Sequence, residues 1–505
     1  MIIRLFIILG LFAGLQWLSA GKSPDTSSKD IFVTVHIDKL QREVPRRFLG
    51  LAVEKEQLHS GEFSRTNSSL VHLLENLGEG TLRIGGDSAD YTAFAPLQEQ
   101  LPSECRIKKK RAPTAADVDE MFHFIRQLNW QVIYALNLGC YSPATAAQEA
   151  KYVYSVGRQD VLAFEIGNEP DMFVLQGYRA ASWDSSAFLE QYHAYRIALQ
   201  KELPEVRLSG PGVGDYQNGA AWLPKFVTSE PQALAFTSAH FYPMVRTDGL
   251  PAGVPFIPES SPVFPTIAHM LNPKVAQLVT TNAFVPQIQA AEAHKFPFRV
   301  TEVNSVARAG KSGVSDVFAS ALWVLDYSFR FLELGAEGIN ITTDLPQGAA
   351  YSAIQVENGI HVARPVYYGM LFFHQAAQGQ VAPVELSEIG STVNFSAYAT
   401  AGPDHTARVT LINKDAALTV RASIRISGHY RSGKIFRLSA PSLDARSGIT
   451  FAGATVAADG SWQPKVGEPA LQDDLGVFVI IIPPGSAASL TAESGLSKAA
   501  AATAN

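Results

Sequence analysis

Short apolar runs that end in a polar or acidic residue recur along the first two thirds of this chain, with segments of helical spacing between them. The runs occupy residues 48–53, 81–84, 131–136, 161–166, 206–209, 234–238, 298–301 and 338–341. Amphipathic stretches lie at 69–77, 115–128, 186–201, 315–334 and 365–377. Near-continuous apolar strands separated by helices are what a parallel sheet covered on its faces requires. Eight such strands in about 330 residues predict an α/β fold, a (β/α)8 TIM barrel with long loops over residues 48–380.

From about Val381 the helical period disappears. Residues 392–399, 407–413, 418–426, 434–438 and 477–482 alternate as strands between Gly, Asp, Asn and Ser clusters, which predicts an all-β sandwich over 381–493. An earlier alternating run, 31–37, has no place in the barrel order. It is expected to join that sandwich with the rest of 31–47, so that the accessory domain draws on both chain ends. The Ala-rich residues 494–505 are expected to be a flexible tail.

The first residues are set apart from this pattern. A basic start through Arg4, an apolar run over 5–18 and small residues at Ser19-Ala20 predict a secretory signal peptide over 1–20, and with it a secreted or periplasmic protein. The run is shorter than the ~20 residues that cross a bilayer comfortably. Export permits disulfides, and the two cysteines, Cys105 and Cys140, both fall on expected loops at one face of the barrel. A bridge between them is possible, but spacing alone does not decide it.

Composition bounds the function classes. With 47% hydrophobic and 17% charged residues and a formal net charge of −6, the chain can build a large core and has no basic field to hold nucleic acid. No membrane association is expected once the leader is removed, and nothing in the sequence bears on oligomeric state. There is no HExxH, paired CxxC or Walker loop, and Gly210-Pro211-Gly212-Val213-Gly214 lacks dinucleotide-site spacing. No metal and no cofactor is expected. The basic stretch Ile107-Lys108-Lys109-Lys110-Arg111 is expected to be a solvated loop face or a rim that attracts acidic glycans.

Polar side chains at the C-terminal ends of barrel strands face the active-site mouth. Reading past each proposed strand yields Glu54, Asp87, Asn137, Asn168 with Glu169, His240 with Tyr242, Glu302, and residues 342–344. The sharpest segment is Phe164-Glu165-Ile166-Gly167-Asn168-Glu169-Pro170-Asp171. Asn-Glu-Pro alone arises by chance in roughly one chain in twenty of this length, but here it ends an apolar strand, and a second isolated acid, Glu302, ends another. Hydrolysis of a glycosidic bond needs two carboxyl groups flanking that bond, ~5 to 5.5 Å apart in a retaining mechanism. The pair predicts Glu302 as nucleophile and Glu169 as acid/base. Asn168 is expected to bond the sugar 2-hydroxyl and Tyr242 to hold Glu302. Glu54 and Asp87 are candidates to grip sugar hydroxyls or are structural. Glu165 is expected to be a buried partner of a base such as Arg83, and His240 is either a supporting histidine or a substrate contact.

These residues resemble the heparanase and β-glucuronidase family, glycoside hydrolase family 79, among the (β/α)8 retaining glycosidases. The resemblance spans residues 44–490. It rests on Pro45-Arg46-Arg47-Phe48-Leu49-Gly50-Leu51, Leu82-Arg83-Ile84-Gly85-Gly86-Asp87-Ser88, the Glu165 to Asp171 segment, His240-Phe241-Tyr242, the Glu302 segment and Gly313-Val314-Ser315-Asp316. It implies a barrel with a sandwich, retention of configuration and a carbohydrate substrate carrying a β-linked uronic acid. Tyr351 matches one carboxylate-binding tyrosine of the family. The other departs: the tyrosine usual five residues after the nucleophile is Ala307, followed by Arg308, Ala309 and Gly310. Arg308 and Gly310 are therefore candidate uronate contacts, Arg308 through a charge-assisted hydrogen bond. The missing tyrosine keeps two rivals open, a related glycosidase acting on a neutral sugar such as a β-xyloside or β-glucoside, and a carbohydrate-binding barrel without catalysis.

Overall fold

The computed structural model describes residues 28–100, 112–246, 257–346, 348–387, 393–402 and 406–494. The expected leader 1–20, Cys105, the basic stretch 107–111 and the expected tail beyond Ser494 lie outside the described residues.

After an N-terminal strand, β1 (Ser28–Val35), the chain enters the barrel through β2 (Leu49–Glu54), β3 (Thr81–Gly85), β4 (Gln131–Leu136), β5 (Val161–Ile166), β6 (Leu208–Val213) and β7 (Leu234–Phe241). A two-residue strand β8 (Met244–Val245) precedes β9 (Phe298–Val303), and its partner β10 (Val306–Ala307) precedes β11 (Gly338–Thr342). The strands β11-β2-β3-β4-β5-β6-β7-β9 close into a parallel barrel. Each is buried along almost its whole length because helices cover the outside and side chains fill the inside.

The barrel floor is polar. Arg299 donates to Asn340 Oδ1 at 2.8 Å, to Thr81 Oγ1 at 2.6 Å and to the carbonyls of Arg47 and Phe48 at 3.0 and 3.2 Å. This guanidinium is satisfied by neutral acceptors, and burial drives its pKa down to about 9.

The helices are α1 (Ser68–Glu75), α2 (Ala115–Leu128), α3 (Pro143–Gly157), α4 (Ser185–Glu202), α5 (Tyr216–Ser229), α6 (Ile267–Met270), α7 (Pro273–Val279), α8 (Val285–Ala293), α9 (Ala319–Leu334) and α10 (Pro365–Ala376). Helix α2 starts at a capping box between Thr114 and Asp117, and α3 begins with Ser142 as N-cap and Pro143 at its first position. Among the described residues no helix is long and apolar enough to cross a membrane.

Several boundaries differ from the sequence reading. Strand β6 runs through Gly210-Pro211-Gly212 instead of stopping at Ser209. Its register against β7 shifts between Pro211 and Val213, so the proline and glycines are absorbed as an irregularity inside the strand. Helix α9 begins at Ala319 rather than Ser315. The Asp316 carboxylate accepts the Gly313 N–H in a turn, and the N–H groups of Phe318 and Ala319 donate to the carbonyls of Ala445 and Leu443 in the sandwich. Helix α3 is Ala-rich and was not legible, since its apolar face is built mainly of alanines.

A hairpin, β12 (Ile354–Glu357) with β13 (Ile360–Ala363), follows the barrel. The remaining strands are β14 (Gln380–Ala382), β15 (Val384–Leu386), β16 (Phe395–Ala401), β17 (Thr406–Asn413), β18 (Thr419–Ile426), β19 (Tyr430–Ser439), β20 (Thr450–Phe451), β21 (Glu468–Leu471), β22 (Phe478–Ile482) and β23 (Ser486–Ser494). One sheet has the order β15-β1-β18-β22 and the other β14-β16-β17-β23-β19-β20, with β21 on β19. The N-terminal strand pairs in parallel with β18, Ser28 to Val35 against Thr419 to Ile426. Strand β23, absent from the sequence reading because Ser and Ala dominate it, is the central strand between β17 and β19.

The two domains share a buried polar contact. Asp326 of α9 accepts Lys414 Nζ and Tyr398 Oη, both at 2.7 Å, while Phe329 stacks on Tyr398 with ring centroids 4.8 Å apart.

Candidate active site

The ends of β2, β3, β5, β7, β9 and β11 converge on one cluster at the barrel mouth. Its centre is Arg83, a charged residue inside an apolar strand. The guanidinium donates from Nε to Glu165 Oε2 at 2.6 Å, from Nη1 to Glu302 Oε2 at 2.8 Å and from Nη2 to Asn168 Oδ1 at 2.8 Å. One fork thereby ties three strand ends together. The two glycines after it make room: a Cβ on Gly85 would meet Arg83 Cζ at 2.6 Å, and one on Gly86 would meet the Glu54 carboxyl carbon at 2.4 Å.

Glu302 is buried at the end of β9. Oε2 accepts Arg83, and Oε1 accepts the Tyr242 hydroxyl at 2.6 Å, which lies 2.8 Å from Thr342 Oγ1. Burial alone would raise its pKa, but the charges of His240 and Arg83 and the hydrogen bonds from Tyr242 and Arg83 hold it below the ordinary carboxyl value.

Glu169 sits just beyond β5, with its side chain 18% exposed. Its backbone is left-handed, φ 48°, directly before Pro170. Such a conformation costs a non-glycine residue about 1–3 kcal/mol and is retained where surroundings demand it. Two contacts hold it: Glu169 N–H donates to the Gly212 carbonyl at 3.0 Å, and Asp171 accepts the N–H groups of Gly214 and Asp215 at 2.9 and 3.0 Å. The side chain lies 2.9 Å from His240 Nδ1. Burial first, then the charges of Glu302 and Asp87, outweigh His240 and raise its pKa to about 7.

One oxygen of Glu169, one oxygen of Glu302 and a ring nitrogen of His240 lie within 4.8 Å of one another. By ligand count these three could hold a divalent ion. However, both Glu302 oxygens already accept hydrogen bonds, and the Arg83 cation contacts the same carboxylate, so the set suits two carboxyl groups of unequal proton affinity. The separation is near the ~5 to 5.5 Å of retaining glycosidases and well short of the ~6.5 to 9.5 Å of inverting ones.

The remaining candidates divide. Asn168 is brought to the cluster: its side chain accepts Arg83 and donates weakly to Asp87 Oδ1 at 3.4 Å. Glu54 accepts the Ser88 N–H at 2.8 Å, and burial with the neighbouring Asp87 charge raises its pKa to about 8. Asp87 is exposed and also accepts Gln176 Nε2 at 3.2 Å. Tyr351 stands beside Tyr242, ring centroids 6.3 Å apart. Gly310 packs on the Tyr351 backbone, and the adjacent Ala309 carbonyl accepts the Ala350 N–H at 2.9 Å. Arg308 is exposed with φ 66°. Cys140, on the loop after β4, is not a free thiol.

Asp90 escaped the sequence reading. Its buried carboxylate accepts the N–H groups of Leu138 at 2.8 Å, Gly139 at 3.0 Å and Asn168 at 2.8 Å, and so joins the loops after β3, β4 and β5. Burial outweighs these bonds and raises its pKa to about 6. The signal for it was slight: a second acid shortly after a strand end, in Asp87-Ser88-Ala89-Asp90.

Known proteins resemble this chain along most of its length. Residues 397–488 match the glycosyl hydrolase family 79 C-terminal beta domain. A β-glucuronidase of Neurospora crassa is 21% identical over 482 residues, covering 81% of this chain and 83% of the relative. A β-glucuronidase of Aspergillus niger is 23% identical over 324 residues, covering 58% of this chain and 57% of the relative. Among solved structures, a 4-O-α-L-rhamnosyl-β-D-glucuronidase from Fusarium oxysporum superposes with a TM-score of 0.72 at 19% identity, covering 91% of this chain and all of that one. A family 51 arabinofuranosidase from Xanthomonas axonopodis pv. citri gives 0.68 at 17% identity, with 92% and 100% covered. The solved structures share the barrel-plus-sandwich fold and the curated relatives extend the likeness along most of the chain: this protein is a glycosidase that carries the glycosyl hydrolase family 79 C-terminal beta domain.

Proposed function

We propose that the protein is a retaining β-glucuronidase that releases β-linked glucuronic acid from a glycan or glycoconjugate. The observation that carries the retaining mechanism is the approach of Glu169 and Glu302 to within 4.8 Å, with Glu169 pushed up to about 7 and Glu302 held down. Ionised Glu302 attacks the anomeric carbon while the Glu169 proton passes to the leaving oxygen, and the glycosidic bond breaks. A glycosyl ester on Glu302 results. Ionised Glu169 then takes a proton from water, the water oxygen attacks the same carbon, and the ester bond breaks to regenerate Glu302. Arg83 and Tyr242 keep the nucleophile ionised and in one orientation. Asn168 reads the 2-hydroxyl, and Glu54 and Asp87 grip other hydroxyls of the ring.

Glucuronate at the cleavage site is supported by the two β-glucuronidase relatives and by Tyr351 beside Tyr242, with Arg308 and Gly310 on the neighbouring loop. Ala307, where the family usually has tyrosine, favours a second reading, a neutral β-glycoside. A panel of chromogenic β-glycosides decides between them: hydrolysis of the glucuronide well above the xyloside and glucoside is expected, and the reverse order rejects the uronate. Early NMR spectra are expected to show the β anomer first. An α product overturns retention.

Export is inferred from the basic start, apolar run and small residues of 1–20. Terminal sequencing of protein from the medium or periplasm is expected to begin near Gly21.

A further inference from the structure

The polar side chains behind the carboxylate pair leave a converging set of buried, unpartnered atoms. Ser238 Oγ, Glu165 Oε1 and His240 Nε2 each lack a hydrogen-bond partner, and the three residues are at most 2% exposed. All three face the Gly212 bend of β6. A Cβ built on Gly212 would lie 3.8 Å from Ser238 Oγ and 4.0 Å from both Glu165 Oε1 and His240 Nε2, with no nearer atom outside its chain neighbours. Leaving three polar atoms unsatisfied is costly, and a buried water characteristically makes about three bonds to such groups. Ser238 and His240 come from alternate positions of β7, so one strand face presents both.

We propose that one water molecule, held by Glu165 Oε1, Ser238 Oγ and His240 Nε2, keeps His240 protonated at Nε2 throughout turnover, so that the only mobile proton lies between His240 Nδ1 and Glu169. Glu165 is ion-paired with Arg83 through its other oxygen. Its free oxygen therefore acts as an acceptor: the water donates to it and accepts the Nε2 hydrogen. The charged groups around the imidazole are Glu169 at 2.9 Å and Glu302 at 3.8 Å on the Nδ1 side, Glu165, whose Oε1 shares the Gly212 bend with Nε2, and Arg83, whose charge opposes protonation. The inference rests on the reading of Glu169 as proton donor. His240 becomes a positioning residue that works through Glu169.

The test pairs a structural readout with a kinetic one. Neutron diffraction of the wild-type protein is expected to show a water bonded to the three atoms and deuterium on His240 Nε2. No water, or a bare Nε2, overturns the proposal whatever the activity. Ser238→Val fills the space and is expected to expel the water. The alkaline limb of the kcat/KM profile should then move down by about one pH unit, with kcat lost mainly on substrates whose leaving group needs protonation. Ser238→Ala keeps the space and two partners. It should retain the water and shift the limb less, which keeps the test open if the valine variant fails to fold. An unmoved limb in a variant shown to lack the water refutes the proposal. If no variant and no wild-type sample hydrolyses any glycoside, the Glu169 reading fails, while the diffraction result still decides the water site.

Discussion

The Tyr242 hydroxyl donates to Glu302 Oε1 over 2.6 Å and lies 2.8 Å from Thr342 Oγ1, so the end of β11 steadies the tyrosine that steadies the acid on β9. A hydrogen bond to a charged group contributes about 1.5–3 kcal/mol. Tyr242→Phe is therefore expected to lower kcat about ten- to a hundredfold with little change in thermal stability. Steady-state kinetics beside a melting curve checks this, and an unchanged kcat removes Tyr242 from the mechanism.

The two carboxyl groups predict different failures. Glu302→Gln is expected to abolish turnover of every glycoside. Glu169→Ala should lose most activity on poor leaving groups, keep much more on activated aryl glycosides, and regain rate with azide, which attacks the glycosyl ester without needing a base. Identification of a β-glycosyl azide product is the check. Rescue of Glu302→Gln in the same way, with no rescue of Glu169→Ala, exchanges the two roles.

The pH profile follows from the same pair. A general acid works while it holds its proton, so kcat/KM should fall on the alkaline side around pH 7, where Glu169 loses it. The nucleophile works only when ionised, and Glu302 is held below the ordinary value, so the acid limb should lie below about pH 4.3. Glu169→Gln, assayed on an activated substrate, is expected to lose the alkaline limb.

Arg308→Ala is expected to reduce kcat/KM for a glucuronide about tenfold more than for the matching glucoside, the scale of one charge-assisted hydrogen bond. Equal reductions would mean that Arg308 does not read the carboxylate.

At the domain contact, burial alone would raise the Asp326 pKa, but Lys414 and Arg330 with the bonds from Lys414 and Tyr398 hold it far below the ordinary value. A depressed carboxyl contributes stability that is fully present above the unfolded value near 3.9 and is lost as pH falls through the folded one. Asp326→Asn leaves Lys414 buried without its counter-charge and is expected to cost about 3–5 kcal/mol near neutral pH. Denaturant unfolding should show this cost shrinking as pH falls below 4.

Much of this molecule was legible before folding. Apolar strand runs spaced by helical segments announced a barrel, and period-two alternation after Val381 announced the sandwich, because burial on one or two faces writes itself into local order. Glu169 and Glu302 stood out for the same reason, as isolated acids where apolar runs stop. What the sequence left open depends on contacts made across the closed barrel. Arg83 reaches three acceptors 82, 85 and 219 residues away, and Asp90 binds backbone N–H groups on two later loops. A strand such as β6, with glycine and proline in its middle, takes its course from its neighbours rather than from its own propensities. Burial pattern is a property of neighbouring residues in the chain and survives in sequence, whereas strand register, loop closure and the unequal proton affinities of two facing carboxyl groups exist only after distant segments share one low-dielectric space.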